Sequence, residues 1–455
     1  MTYRHFFTPF LLQAGIAAWL IFYSLVSYAG EASISVSVST HSGDDISFDV
    51  FKSTRKKAAL RVLWIAPGFG IDPRLRQTAE ALAKQGTEVW LIDLADALFM
   101  TKGARSLRDI PAELVADLIT AIIAHNNRNT DLLVVSSTYG AIPAIRGVRA
   151  WQAQTVRSKT TRKPGSPTLL GTVLFSPSFF SYIPELGKAP VFIPELAATN
   201  APLYIFQAEN NGNRWSLSAV LAQLTSAPVF VEMLQDVLSV FYQRDTAPET
   251  LTQLKNAPKM ILRAARLLRR ESMPQKPLPL STASTTTPTT TVSRPSKSGL
   301  NTGLKPYTGD ATARPIRLTD AKGRHFDIHD YRGKVTLINF WATWCPPCVK
   351  EIPSLNRLKQ AMNGKPFQLI SVNYAESAND IRAFLDNVNV DFPVLIDPGG
   401  KLTSQWKVLA FPSTFVIGPD GNIQYGVNAG IHWDTEAIIA QLNNLLPTLK
   451  NQNTE

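Results

Sequence analysis

The chain has 455 residues, 45% of them hydrophobic, which is enough for two or three domains with sizeable cores. Its net charge of +11 is uneven: from Pro306 onward 14 Lys and Arg balance 14 Asp and Glu, so the whole excess lies in residues 1–305. Two cysteines exclude a disulfide framework, and both fall in one C-x-x-C motif, which reserves the sulfurs for chemistry.

In chain order, Arg4 precedes an uncharged run over residues 6–29 that is long enough to span a bilayer. Ser27-Tyr28-Ala29 offers small residues where a signal peptidase reads. Residues 1–29 are therefore expected to be a signal peptide or an N-terminal membrane anchor. No cysteine follows the run, which excludes a lipoprotein anchor. Either way the body of the chain is expected in an oxidising compartment, the periplasm. Nucleic acid is then not an expected partner. An anionic membrane surface or an acidic partner suits the basic N-terminal portion.

Residues 33–40 and 46–50 alternate apolar and polar positions and read as an antiparallel pair. From residue 60 the pattern changes to apolar strands alternating with amphipathic helices. Strands are expected at 60–66, 88–94, 131–136, 168–176, 202–207 and 229–234, and helices at 74–85, 112–125 and after Tyr139. That alternation predicts a mainly parallel sheet covered on both faces. Ala66-Pro67-Gly68-Phe69-Gly70 follows the first parallel strand, and Ser136-Ser137-Thr138-Tyr139-Gly140 lies between a strand and a helix. The layout over residues 33–268 resembles the α/β-hydrolase fold, giving an expected domain over 31–270. The resemblance makes Gly68 part of an oxyanion loop, Thr138 the residue at the nucleophile elbow with Ser137 beside it, and Asn211 the residue where the acid belongs. A hydrolase also needs a histidine beyond the last strand. The six histidines are at 5, 41, 125, 325, 329 and 432, and none lies in that loop. The expectation is a non-catalytic domain that binds or docks a partner. The rival is an unorthodox serine or threonine hydrolase.

Residues 258–270 place Lys259, Arg263, Arg266 and Arg270 opposite Met260, Ile261, Ala264 and Leu268. This predicts a cationic amphipathic helix that packs on the sheet and could also touch anionic headgroups. Residues 271–305 are rich in Ser, Thr, Pro and Lys and are expected to be a disordered linker. About thirty flexible residues reach roughly 30 Å, which leashes the last domain without fixing it.

In that last domain, residues 335–340 are apolar and β-prone, and Val349, Ile352, Leu355 and Leu358 recur at helical spacing. Between them lies Trp341-Ala342-Thr343-Trp344-Cys345-Pro346-Pro347-Cys348. Strand, turn and helix place Cys345 at a helix N-terminus, where free N–H groups favour a thiolate. Cysteines so placed can have pKa values of about 3.5–7.5. Cys345 is the expected attacking sulfur, and Cys348, one turn on, the resolving one. Pro346 and Pro347 suit a first helical turn. Of Trp341 and Trp344, one is expected in the core and the other on the rim beside Cys345. A structural disulfide would stabilise little across so short a loop. Half a zinc site with His325 and His329 is the other reading, and the strand–helix context argues against a metal.

The block from Asn339 to Cys348 resembles the active site of thioredoxin-like proteins of the TlpA/ResA type. Ala410-Phe411-Pro412-Ser413-Thr414 resembles that family's cis-proline loop, and Glu351-Ile352-Pro353 its glutamate and helix proline. Residues 316–334 resemble the N-terminal hairpin of the subgroup. The resemblance covers residues 306–450. It implies a thioredoxin-like fold in which Trp344, Phe411 and Pro412 meet the substrate; the strand and helix pattern after the active-site helix itself reads as a mixed four- or five-stranded sheet. Asn339 stands where many thioredoxins carry a buried Asp. An amide does not titrate, which leaves Glu351 as the proton acceptor. No cofactor is implied. The expected activity is reduction of disulfides in periplasmic proteins such as apocytochrome c, in cytochrome c maturation, with recharging by a membrane thiol donor of the DsbD type. The alternative is a binding protein with an accessory redox unit.

Overall fold

The computed structural model describes residues 33–40, 43–125, 130–157, 168–243, 245–280 and 304–447. The expected signal or anchor, residues 1–29, lies outside them, as does most of the expected linker. Among the described residues no helix is long and apolar enough to cross a membrane.

The N-terminal sheet has eight strands: β1 (Ile34–Ser39), β2 (Asp45–Phe51), β3 (Leu60–Ile65), β4 (Thr87–Ile92), β5 (Leu132–Ser137), β6 (Leu169–Phe175), β7 (Leu203–Ala208) and β8 (Val229–Leu234). Their order is β1-β2-β4-β3-β5-β6-β7-β8. Pairs β1/β2 and β2/β4 are antiparallel and the rest parallel, so the expected mainly parallel sheet is observed. Strands β3 to β7 are buried along their whole length, as strands covered on both faces must be. On one face pack α1 (Pro73–Lys84) and a long C-terminal helix whose Met260 and Ile261 join Leu75 and Leu82 in one core. On the other lie α2 (Ala112–Ala124) and α3 (Ala141–Arg157), with Val115, Ile119 and Val148 in a second core. A β-carbon on Gly147 would fall 2.2 Å from Val115 Cγ1, so glycine lets these two helices cross closely.

Two expectations need correction here. The cationic helix is longer than expected: α4 spans Pro248–Leu268, with Pro258 inside it and buried. Proline reads as a helix start because it lacks an N–H, but burial of Ala257, Met260 and Ile261 on the sheet carries the helix through it. Residues 271–280 are not linker. Their backbone is held by the first domain: Gln152 donates to the Pro274 carbonyl at 2.9 Å, and Asn200 to that of Lys276 at 2.8 Å.

The C-terminal sheet has seven strands, not four or five: β9 (Arg317–Asp320), β10 (His325–Asp327), β11 (Val335–Trp341), β12 (Phe367–Tyr374), β13 (Val394–Asp397), β14 (Ser413–Ile417) and β15 (Ile423–Val427). Their order is β10-β9-β13-β12-β11-β14-β15. The count rises because the β9/β10 hairpin does not stand apart: Asp320 and Thr319 pair with Leu395 and Ile396 of β13. Central β11 runs parallel to β12 and antiparallel to β14. Helices α5 (Pro346–Ala361), α6 (Ala378–Leu385) and α7 (Glu436–Asn444) complete the domain.

The two sheets are also packed together, where a free leash was expected. Leu186, from the loop after β6, is buried in the same core as Ile316, Phe340, Phe415 and Ile423 of the second domain. Asn428 donates to the Pro184 carbonyl at 2.9 Å. The leash expectation rested on linker composition, which says nothing about complementary surfaces elsewhere in the chain.

Arg61 is fully buried in β3 and donates to Glu88 at 3.0 Å and to the carbonyls of Ile122 and His125 at 2.9 and 2.7 Å. Glu88 also accepts the Trp90 indole N–H at 2.9 Å. Glu88→Ala strands a buried guanidinium, so urea unfolding of the first domain should show a loss of about 3–5 kcal/mol.

Candidate active site

Strand β11 is apolar and central, and it delivers the chain to the edge of the sheet at Trp341. Trp341 is the core tryptophan, 1% exposed, and its indole donates to Ser371 at 3.1 Å. The next residues turn, and Thr343 gives both its N–H and its hydroxyl to Glu376, which also accepts from Asn373. Cys345 then occupies the N-cap of α5 with extended backbone angles. Its sulfur accepts the Cys348 N–H at 3.3 Å, and its carbonyl accepts from Val349 at 3.1 Å. Pro346 and Pro347 fill the first turn, where a missing donor does no harm, and both are exposed. Cys345 and Cys348 are joined as a disulfide and are 5% and 1% exposed.

Glu351 lies one turn beyond Cys348 on the same helix, and it is buried, not a surface carboxylate. Asn339 donates to one of its oxygens at 2.8 Å, and the Trp433 indole to the other at 3.1 Å. The Ile431 N–H reaches that second oxygen at 3.4 Å. Burial pushes the Glu351 pKa up to about 7, against these three donors, which pull it down. Asn339 also donates to Thr414, two residues past the cis Phe411–Pro412 bond. One amide thus ties the glutamate to the cis-proline strand. Burial likewise raises the pKa of Glu376 behind the Thr343 turn.

Trp344 lines the rim. Its ring meets Phe411 at 5.8 Å and Tyr374 at 6.5 Å, and Phe411 and Tyr374 lie 5.0 Å apart. Cys345, Cys348, Glu351, Asn339, Trp344, Phe411 and Pro412 therefore gather at one end of the sheet. Sequence reading gave Thr414 no role although it stands in the cis-proline motif, and it missed Trp433, Glu376 and Tyr374 altogether. The last three come from distant segments with no motif of their own: Tyr374 ends β12, and Glu376 and Trp433 sit in loops that only the folded chain brings to the site. His325 touches the Thr319 hydroxyl on the β9/β10 hairpin. Among the described residues no three or more His, Cys, Asp or Glu side chains gather as a metal site.

The hydrolase-like residues form a separate group. Thr138 follows β5 with φ of 45°, a rare conformation for a β-branched residue, at the turn into α3. Gly140 is required there, since a β-carbon would lie 2.2 Å from Ser136 Oγ. Ser137 ends β5 and is buried. Gly68 has φ of 85° and its carbonyl accepts from Gly103. Asn211 is spent on its own loop: it caps Asn213 at 3.0 Å and donates to the Leu238 carbonyl at 3.1 Å. The described histidine of this domain, His125, stands edge-on to Trp90 at 4.8 Å. A tight strand–helix turn is present, with no histidine among the described residues placed to activate it.

Comparison with known proteins falls on the second domain. Residues 310–426 match the AhpC/TSA family. The thiol-disulfide oxidoreductase ResA of Bacillus subtilis (strain 168) is 31% identical over 129 residues, 28% of this chain and 70% of that protein. ResA of Bacillus thuringiensis subsp. konkukian is 34% identical over 106 residues, 23% of this chain. There the chain spans 61% of the relative's length. A putative thiol:disulfide interchange protein DsbE from Chlorobium tepidum has 28% identity, is covered completely by 32% of this chain, and gives a TM-score of 0.29.

The Glu351 carboxyl titrates near 4.5 when free and about 7 when folded, so between those values the native state binds more protons than the unfolded one. Its burial therefore weakens the fold as pH rises through that window, by about 3 kcal/mol at most. Urea midpoints of the second domain should fall from pH 5 to pH 8, and Glu351→Gln should flatten that slope.

Proposed function

We propose, for a chain that belongs through its second domain to the ResA-type thiol-disulfide oxidoreductases, that it reduces disulfides in exported proteins through the Cys345/Cys348 dithiol. The observation that carries this reading is the Cys345 sulfur at the N-cap of α5, bonded to the Cys348 sulfur and accepting the Cys348 N–H. Helix-end donors favour a thiolate there. The thiolate attacks a target disulfide, one target thiolate leaves, and a mixed disulfide forms on Cys345. Cys348 then loses its proton and displaces the second target sulfur. Two electrons pass to the target, and the Cys345–Cys348 disulfide is regenerated.

Glu351 acts as the proton acceptor for Cys348. A buried carboxyl with a pKa of about 7 exchanges protons readily near neutrality, which Asn339 cannot do. The Phe411–Pro412 loop and Trp344 form the surface against which a substrate strand lies. The oxidised dithiol needs an outside dithiol to recharge it, and a membrane donor of the DsbD type fits that need. Apocytochrome c and other periplasmic disulfides fit as targets. The uncharged run over residues 6–29 supports export, as signal peptide or as anchor, and the basic excess before residue 306 supports contact with an anionic surface.

The first domain, hydrolase-like in its layout, serves on this reading as a non-catalytic docking module over residues 31–280. A hydrolase using Ser137 or Thr138 would need a base that the described part of this domain does not place nearby.

Three assays test these roles. Cys345→Ser should abolish insulin-disulfide reduction, and Cys348→Ser should trap a mixed disulfide on Cys345. Equal turnover in wild type and Cys345→Ser would remove the enzyme reading. A fluorophosphonate probe should leave the full chain unlabelled, and labelling at Ser137 or Thr138 would restore the hydrolase.

A further inference from the structure

The loops that leave the carboxyl ends of β6, β7 and β8 all meet the redox domain. In open α/β sheets this edge is where ligands bind. Here it faces the rim of Cys345. After β8, the Tyr242 hydroxyl donates to the carbonyl of Trp344, the residue just before Cys345, at 2.7 Å, and the two rings stand edge-on at 6.4 Å. After β7, Gly212 lies beside Tyr374, where a β-carbon would stand in ordinary van der Waals contact with the hydroxyl, 3.9 Å away. After β6, the Pro184 carbonyl takes the N–H of Asn428, whose own oxygen accepts the hydroxyl of Ser413, next to Pro412, at 3.1 Å. The first domain therefore touches both sides of the surface proposed to receive substrate.

This edge is built to hold still. Arg74 is buried and donates to the carbonyls of Tyr242, Gln243 and Asp245 at 2.6, 3.2 and 2.8 Å, which pins the loop that carries Tyr242. Leu186 is seated in the redox domain's own core. Tyr242, Trp344, Phe411 and Tyr374 then pack ring against ring in one aromatic cluster, with Tyr374 buried beneath the others.

Resting on the reductase reading above, we propose that the first domain is a fixed wall of the redox site, with Tyr242 as its selecting residue. The wall limits which disulfides reach Cys345. Small disulfides, and disulfides on narrow extended segments, pass it. Disulfides held in bulky folded proteins meet the Tyr242 ring before their sulfur meets Cys345.

The test uses the full chain, reduced beforehand. Its rate of oxidation is followed with two substrates, insulin and the small disulfide 5,5′-dithiobis(2-nitrobenzoate). Tyr242→Ala should raise the insulin rate about five- to tenfold while the small-disulfide rate stays within about twofold, the range of a single steric contact. Tyr242→Phe keeps the bulk and should react with both substrates like wild type. Tyr242→Leu gives a second truncated side chain, should the alanine variant fold poorly. Equal acceleration of both substrates, or no acceleration of insulin by either truncation, overturns the wall while leaving the reductase standing. Failure of wild type to react with either substrate overturns both.

Discussion

The sulfur of Cys345 takes the position that a serine or aspartate oxygen takes at other helix starts, and it accepts the Cys348 N–H at 3.3 Å. The rest of the second domain serves that placement. Strand β11 must end at Trp341 for the turn to fall where it does, and buried Glu376 holds the turn through Thr343. The two prolines start the helix without wasting a donor. Behind the helix, Asn339, Trp433 and the Ile431 N–H hold a buried carboxyl in reach of the same turn. Shift the helix by one residue and the sulfur loses its Cys348 N–H donor, while Glu351 loses its partners.

Much of this was legible in the sequence because it is local. The C-x-x-C between a β-prone run and a helical pattern needs no tertiary information to place Cys345. The same holds for the fully apolar strands of the first domain, whose alternation with helices announces a sheet covered on both faces. Thr138 was readable as a strand–helix turn, and its φ of 45° shows how tight that turn is. What was not legible is long-range. Trp433 lies 82 residues from Glu351, and Tyr242 lies 102 from Trp344. Neither sits in a motif. Pro258 misled because a residue's usual position yields when the helix around it buries a whole apolar face. The strand count misled because a hairpin reads the same whether or not its edge pairs with another strand.

The packing of the two domains changes what the first one can mean. A leashed partner would act only through local concentration. A domain whose Leu186 enters its neighbour's core, and whose loops reach both Trp344 and the cis-proline strand, shapes the redox site directly. The carboxyl edge of its sheet, with Asn211 absorbed in its own loop, is given over to that contact.

Everything rests on the ionisation of one thiol. Titration of Cys345 in the fully reduced chain, by its rate of alkylation as pH is raised, measures this directly. The account predicts an apparent pKa at least about one unit below the roughly 8.5 of free cysteine. A value at or above that of free cysteine would contradict it.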